Sequence, residues 1–110
     1  MSRRLTPSQS LTDAVNDRLQ RARRQRLRGD QRKALLLLRE ACCLSEQEAR
    51  LWTLYAVQCW RMGQRDEARQ ALRQALWLRE RERDSARSHV LRGLLLAMES
   101  AVAPELVRAA

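Results

Sequence analysis

The residues able to carry bond-making chemistry are few in this chain: one histidine, His89, and three cysteines, Cys42, Cys43 and Cys59. Three cysteines without a C-x-x-C spacing specify neither a disulfide framework nor a zinc site, and a single imidazole adds little to a metal's ligand set. Cys42 and Cys59 fall at helical packing positions, as does His89, so a core role is expected for all three. No Gly-rich phosphate loop, G-x-S-x-G or H-E-x-x-H occurs. The expectation is a non-catalytic protein with no cofactor and no metal.

Binding chemistry is what remains, and it is guanidinium chemistry. The chain holds 22 basic residues against 13 acidic ones, a formal charge of +9, and Lys33 is its only lysine. The surplus is concentrated at one end. Residues 1–34 contain ten basic and three acidic residues, a balance of +7, while residues 35–80 and 81–110 each sum to +1. Such an end calls for an acidic partner, whether protein, nucleic acid or anionic lipid. The densest stretch, "RLQRARRQRLRGDQRK", has eight basic residues in sixteen. Nucleic-acid binding by this basic N-terminal helix is therefore an alternative. Against it, the charges spread around the helix and no aromatic side chain is interleaved. The two N-terminal arginines have no apolar stretch behind them, and runs such as "ALLLL" are too short to span a bilayer. A cytoplasmic protein without a membrane role is expected.

The elements that must position these groups are helices. Ala, Leu, Arg, Glu and Gln dominate a chain with three Gly, two Pro and no Phe. Residues 1–11 are expected to form a flexible lead-in, with residues 12–110 as one helical domain. Ser10 or Thr12 would cap a first helix that runs to about Leu27 and stops at Gly29. Asp30 would cap a second helix over 31–44. "SEQE" at Ser45–Glu48 has the form of a capping box for a third, which runs to Met62 and ends at Gly63. A fourth covers residues 65 to about 81. The junction "LRERERDSA" has no Gly or Pro, and Asp84 or Ser85 is its best cap. A fifth helix over 85–98 carries Val90, Leu91, Leu94, Leu95 and Met98 on one face. Pro104 would open a short sixth, "PELVRA".

One offset runs through the middle of the chain. Gly29, Ala34, Leu38 and Ala41 recur 34 residues later as Gly63, Ala68, Leu72 and Ala75. A period of this length marks a helical hairpin that cannot bury its apolar face alone and stacks on its next copy. Ala68 and Ala75 lie two turns apart on one face, where small side chains let helices approach closely.

These residues resemble the tetratricopeptide repeat. Residues 49–82 supply Trp52, Tyr55, Ala56, Gly63, Ala68, Leu72 and Ala75 in the family's order and spacing. Residues 15–48 match at Ala22, Gly29, Ala34, Leu38 and Ala41. Residues 83–110 supply only a first helix, with Ala86, His89 and Val90 at the corresponding places. The resemblance implies an all-α protein of antiparallel hairpins stacked as a short right-handed superhelix of about two and a half repeats. It further implies a concave face lined by the first helix of each hairpin. Asn16, Leu19, Arg23, Arg26 and Leu27 would face inward from the first repeat. Arg50, Thr53, Val57, Trp60 and Arg61 would follow from the second, and Asp84, Arg87, Leu91, Leu94 and Leu95 from the third. Trp52 would fill the core, leaving Trp60 as an anchor for a partner, with Trp77 as an outer or inter-repeat contact. The family's carboxylate clamp is absent, because Leu19, Arg23, Leu54, Asp84 and Ser88 occupy its places.

The implied function is a protein–protein interaction module, an adaptor or small chaperone binding an acidic or amphipathic polypeptide. In size and build the chain is similar to small bacterial secretion chaperones. A self-assembling structural subunit is a further alternative, since the apolar residues of the fifth helix want cover from the last helix or from another polypeptide.

Overall fold

A computed structural model describes residues 6–109, and the surroundings of side chains through Ser100. These residues form five α-helices and no strand: α1 (Pro7–Leu27), α2 (Gln31–Leu44), α3 (Ala49–Arg61), α4 (Arg65–Arg81) and α5 (Ser85–Ala109). The all-α expectation holds. The helices pack in chain order, α1 on α2, α2 on α3, α3 on α4 and α4 on α5.

Three of the four turns share one design. Gly29 and Gly63 sit at φ 87° and 75°, in the left-handed region that glycine enters without a Cβ penalty. The next residue in each case donates five positions back, Asp30 N–H to the Gln25 carbonyl at 2.8 Å and Gln64 N–H to the Cys59 carbonyl at 2.9 Å. This satisfies carbonyls that the helix end leaves open. The α4–α5 turn repeats the geometry without a glycine. Arg83 stands at φ 58°, and Asp84 N–H reaches the Arg79 carbonyl at 2.9 Å. Asp30 and Asp84 then cap α2 and α5, accepting from the backbone N–H of Lys33 and Arg87 at 3.1 Å each.

Three boundaries differ from expectation. α1 begins at Pro7, with a capping box in which Thr6 Oγ1 accepts from Gln9 N–H and Gln9 Oε1 accepts from Thr6 N–H. Residues 7–11 of the supposed lead-in are therefore helical, and residues 1–5 lie outside the described residues. The "SEQE" box does not form. Ser45 is spent closing α2, its N–H on the Ala41 carbonyl, and Glu48 N–H turns back to the Ser45 carbonyl. The Trp52 indole donates to the Glu46 carbonyl at 2.9 Å and pins this turn, so α3 starts at Ala49. Finally, α5 continues through Pro104 instead of giving way to a sixth helix. Residues 99–103 contain no glycine or Asx cap to stop it.

The core follows the small-residue pattern. Ala41, Ala56, Ala68 and Ala75 are wholly buried, with Leu51, Leu72 and Cys59 filling the space between. Tyr55 is also buried, its hydroxyl donating to Glu67 Oε1 of α4 at 3.1 Å. α5 joins this core through Leu91, Leu95 and Met98. His89, expected to pack, is exposed. Its counterpart 34 residues earlier, Tyr55, is covered by α4, and no described element covers α5 in the same way.

Candidate functional site

A depression enclosing about 290 Å³ lies between α1 and α3, floored by α2. α1 contributes Leu19, Ala22, Arg23 and Arg26, and α3 contributes Leu54, Val57, Gln58 and Arg61. Both sets follow i, i+3, i+4, i+7, so each lies on one face of its helix. Ala34 and Leu38 of α2 complete the apolar floor. Gln58 is the one buried polar group there. Its Nε2 donates to the Gln31 carbonyl at 3.1 Å and to Gln31 Oε1 at 2.9 Å, tying α3 to the first turn of α2. Sequence reasoning missed it. The available signal was a lone amide inside the apolar stretch "LYAVQCW".

The charges on the rim are uncompensated. Arg23, Arg26 and Arg61 are exposed, and none pairs with an acidic group among the described residues. The acids of this region are engaged elsewhere. Asp17 holds Arg18 and Arg21, and Glu40 of α2 holds Arg18 at 2.9 Å. Three guanidinium groups thus surround an apolar floor. Low-dielectric walls strengthen their field towards an incoming carboxylate.

A second depression, of about 270 Å³, adjoins the first across Leu54, which lines both. It lies between α3 and α5 and is formed by Arg50, Thr53, Arg79, Arg87, Val90, Leu91 and Leu94. Its arginines are paired, Arg50 with Glu48 at 3.0 Å, Arg87 with Asp84 at 3.0 Å and Arg79 with Asp84 at 3.9 Å. The second depression is therefore largely neutral and apolar where the first is cationic.

The structure brings Arg23, Arg26, Val57 and Arg61 together in the first depression, and Arg50, Arg87, Leu91 and Leu94 in the second. Five of the expected residues line neither, among them Asn16, exposed on α1, and Asp84, which caps α5. Leu27 is exposed at the end of α1, and Leu95 is buried against the core. Trp60 packs half-buried on the core, with the Arg65 guanidinium 5.4 Å from its ring centre. Trp60 sits about 60° around α3 from Val57, and that rotation takes it out of the depression. Trp77 is on the outside, its ring under Arg81.

Burial holds the protons on two of the thiols and on the phenol. Burial, reinforced by the neighbouring Cys43 and Cys59, pushes the Cys42 thiol up to about 12. Burial likewise raises Cys59, and it raises Tyr55 well above the usual phenol range. Cys43 is exposed. Among the described residues no three His, Cys, Asp or Glu side chains gather as a metal site, and no helix is long and apolar enough to cross a membrane. The chain matches no protein-family model, no curated protein and no solved structure.

Proposed function

We propose that the chain is a non-catalytic polypeptide-binding module of tetratricopeptide-like build, an adaptor or small chaperone. Its α1, α3 and α5 line one concave binding face. The observation that carries this is the ring of Arg23, Arg26 and Arg61, unpaired with any acid among the described residues, around the floor of Leu19, Leu38, Leu54 and Val57. An amphipathic segment suits such a surface, with its apolar side on the floor and carboxylates against the rim. Support for the build comes from helices that pack in chain order, with matching turns at Gly29 and Gly63.

The test uses a fluorescent amphipathic probe peptide with leucines on one face and glutamates flanking them. Arg23→Glu with Arg26→Glu should lower its affinity at least tenfold and flatten the salt dependence of association. Arg24→Glu with Arg28→Glu makes the same charge change at the C-terminal end of α1, outside the depression, and should leave most of the affinity intact. Equal losses for the two pairs would mean that net charge, not this site, attracts the peptide. Micromolar, steeply salt-dependent binding of random duplex DNA, abolished by the outer pair, would favour the nucleic-acid alternative instead.

A further inference from the structure

α5 has one bare side. It packs on α4 through Leu91, Leu95 and Met98, no other described helix approaches its backbone, and Val90, Leu91 and Leu94 border the depression it shares with α3. The 34-residue offset identifies the face it leaves open. Tyr55, Ala56 and Cys59 of α3 are buried where α4 lies against them. Their counterparts on α5 are His89, Val90 and Gly93, all exposed. α5 therefore presents to solvent the face that in α3 receives a helix. Leu94 and Ala97 extend that face by a turn, and both are exposed too. From Val90 to Ala97 it carries no charge, because Arg92 and Glu99 turn towards α4, where they pair with Glu80 and Arg73.

We infer that this face receives the α5 of a second copy of the chain, antiparallel and about a twofold axis between Gly93 and Leu94. In that register Val90 falls opposite Ala97 of the copy, and Leu94 opposite its Gly93. Every large side chain meets a small one, which is the self-complementarity a twofold interface requires. Space exists at the axis, since a Cβ placed on Gly93 meets nothing within 4 Å in its own chain. Charge favours the same partner. Residues 81–110 carry five basic and four acidic residues, whereas residues 1–34 have a balance of +7. Pairing through α5 joins the near-neutral ends and leaves the cationic ends farthest apart, where salt screens their repulsion. The inference does not rest on the peptide-binding proposal, because Arg23, Arg26 and Arg61 line the first depression between α1 and α3, whereas Val90 and Leu94 border the second.

Sedimentation equilibrium of the full chain, from low micromolar to submillimolar concentration, tests it. The mass should rise from 12.9 kDa towards twice that value. Gly93→Leu fills the hole opposite Leu94 from an exposed position where an added Cβ meets nothing in its own chain, and replaces glycine with a better helix former. It should stay monomeric throughout, with unchanged helicity and an unchanged or higher thermal midpoint. In a Cys43→Ser background, Gly93→Cys should give a disulfide-linked dimer on mild oxidation, whereas Ala86→Cys, far from the axis, should not. A wild-type chain that stays monomeric overturns the inference. So does a Gly93→Leu dimer as tight as wild type, or equal cross-linking through both cysteines. Binding of the acidic probe by monomeric Gly93→Leu separates the two proposals.

Discussion

Arg83 offers the cleanest perturbation of the fold. It occupies the left-handed position of the α4–α5 turn at φ 58°, is exposed, and makes no ion pair among the described residues. Replacing it with glycine removes no interaction, so only the backbone term changes. A side chain in the left-handed region costs about 1–2 kcal/mol. Glycine returns about 0.5–1 kcal/mol of that through the greater freedom of the unfolded chain. Arg83→Gly should therefore stabilise the protein by roughly 0.5–1 kcal/mol, or about 2–5 °C in Tm for a chain of this size. Gly63→Ala is the mirror experiment. At φ 75° a Cβ there would touch nothing within 4 Å, so its loss of about 1 kcal/mol is conformational and not steric. Urea melts followed by far-UV circular dichroism read both variants, and the m-value should not change. A neutral or destabilised Arg83→Gly with an unchanged m-value would refute the reasoning, since it would mean that the turn holds no backbone strain.

Three further outcomes are expected. A thiol reagent at neutral pH should modify Cys43 quickly and leave Cys42 and Cys59 until the protein unfolds; fast reaction of all three would contradict their burial. Gln58→Ala should cost about 2–4 kcal/mol, combining a cavity with two lost amide hydrogen bonds, as read by urea denaturation, and a loss under 1 kcal/mol would show the amide to be dispensable. Asp84 is held below the ordinary carboxylate range by the backbone N–H of Arg87, then by its guanidinium. Its charge therefore contributes stability fully above the unfolded carboxylate's pKa, and that contribution is lost as pH falls through the lowered value. Asp84→Asn should be less stable than wild type near neutrality and converge with it in acid, whereas a gap independent of pH would rule out the charge.

What the sequence made legible was what repeats locally. Gly29 and Gly63 announced their turns because only glycine enters the left-handed region freely, and Ala34, Ala41, Ala68 and Ala75 announced the helix contacts because nothing larger fits. The α4–α5 turn was harder to see, since Arg83 adopts the same geometry against its preference. "SEQE" misled for a different reason. A local capping motif was overridden by the Trp52 indole, which fixes the Ser45–Glu48 turn from six residues beyond Glu46. The candidate site was legible at Arg23, Arg26, Val57 and Arg61 only through the repeat resemblance, which implied that they face inward. Which arginines are free to act was not. That depends on pairs such as Arg18 with Glu40, 22 residues apart and on different helices. Trp60 was misplaced because its residue type spoke for an anchor while its rotation about α3 took it to the core.

Packing in strict chain order has a kinetic consequence. Each helix meets only the helices next to it in sequence, so no contact waits on the closure of a long loop. Chains with such local topology fold quickly. Their native state also opens piecemeal, in the manner of a one-dimensional array. α1 and α5 each have one neighbour to lose, and α3 has two. Amide protons should then exchange in a gradient, fastest at the outer helices and slowest along the α3–α4 hairpin that carries most of the wholly buried residues. Both depressions are built between an outer helix and α3, so their shape is set by the parts of the molecule that detach first. A ligand that bridges α1 to α3 would close that opening, and its affinity would appear as slower exchange in α1 before any change in α4.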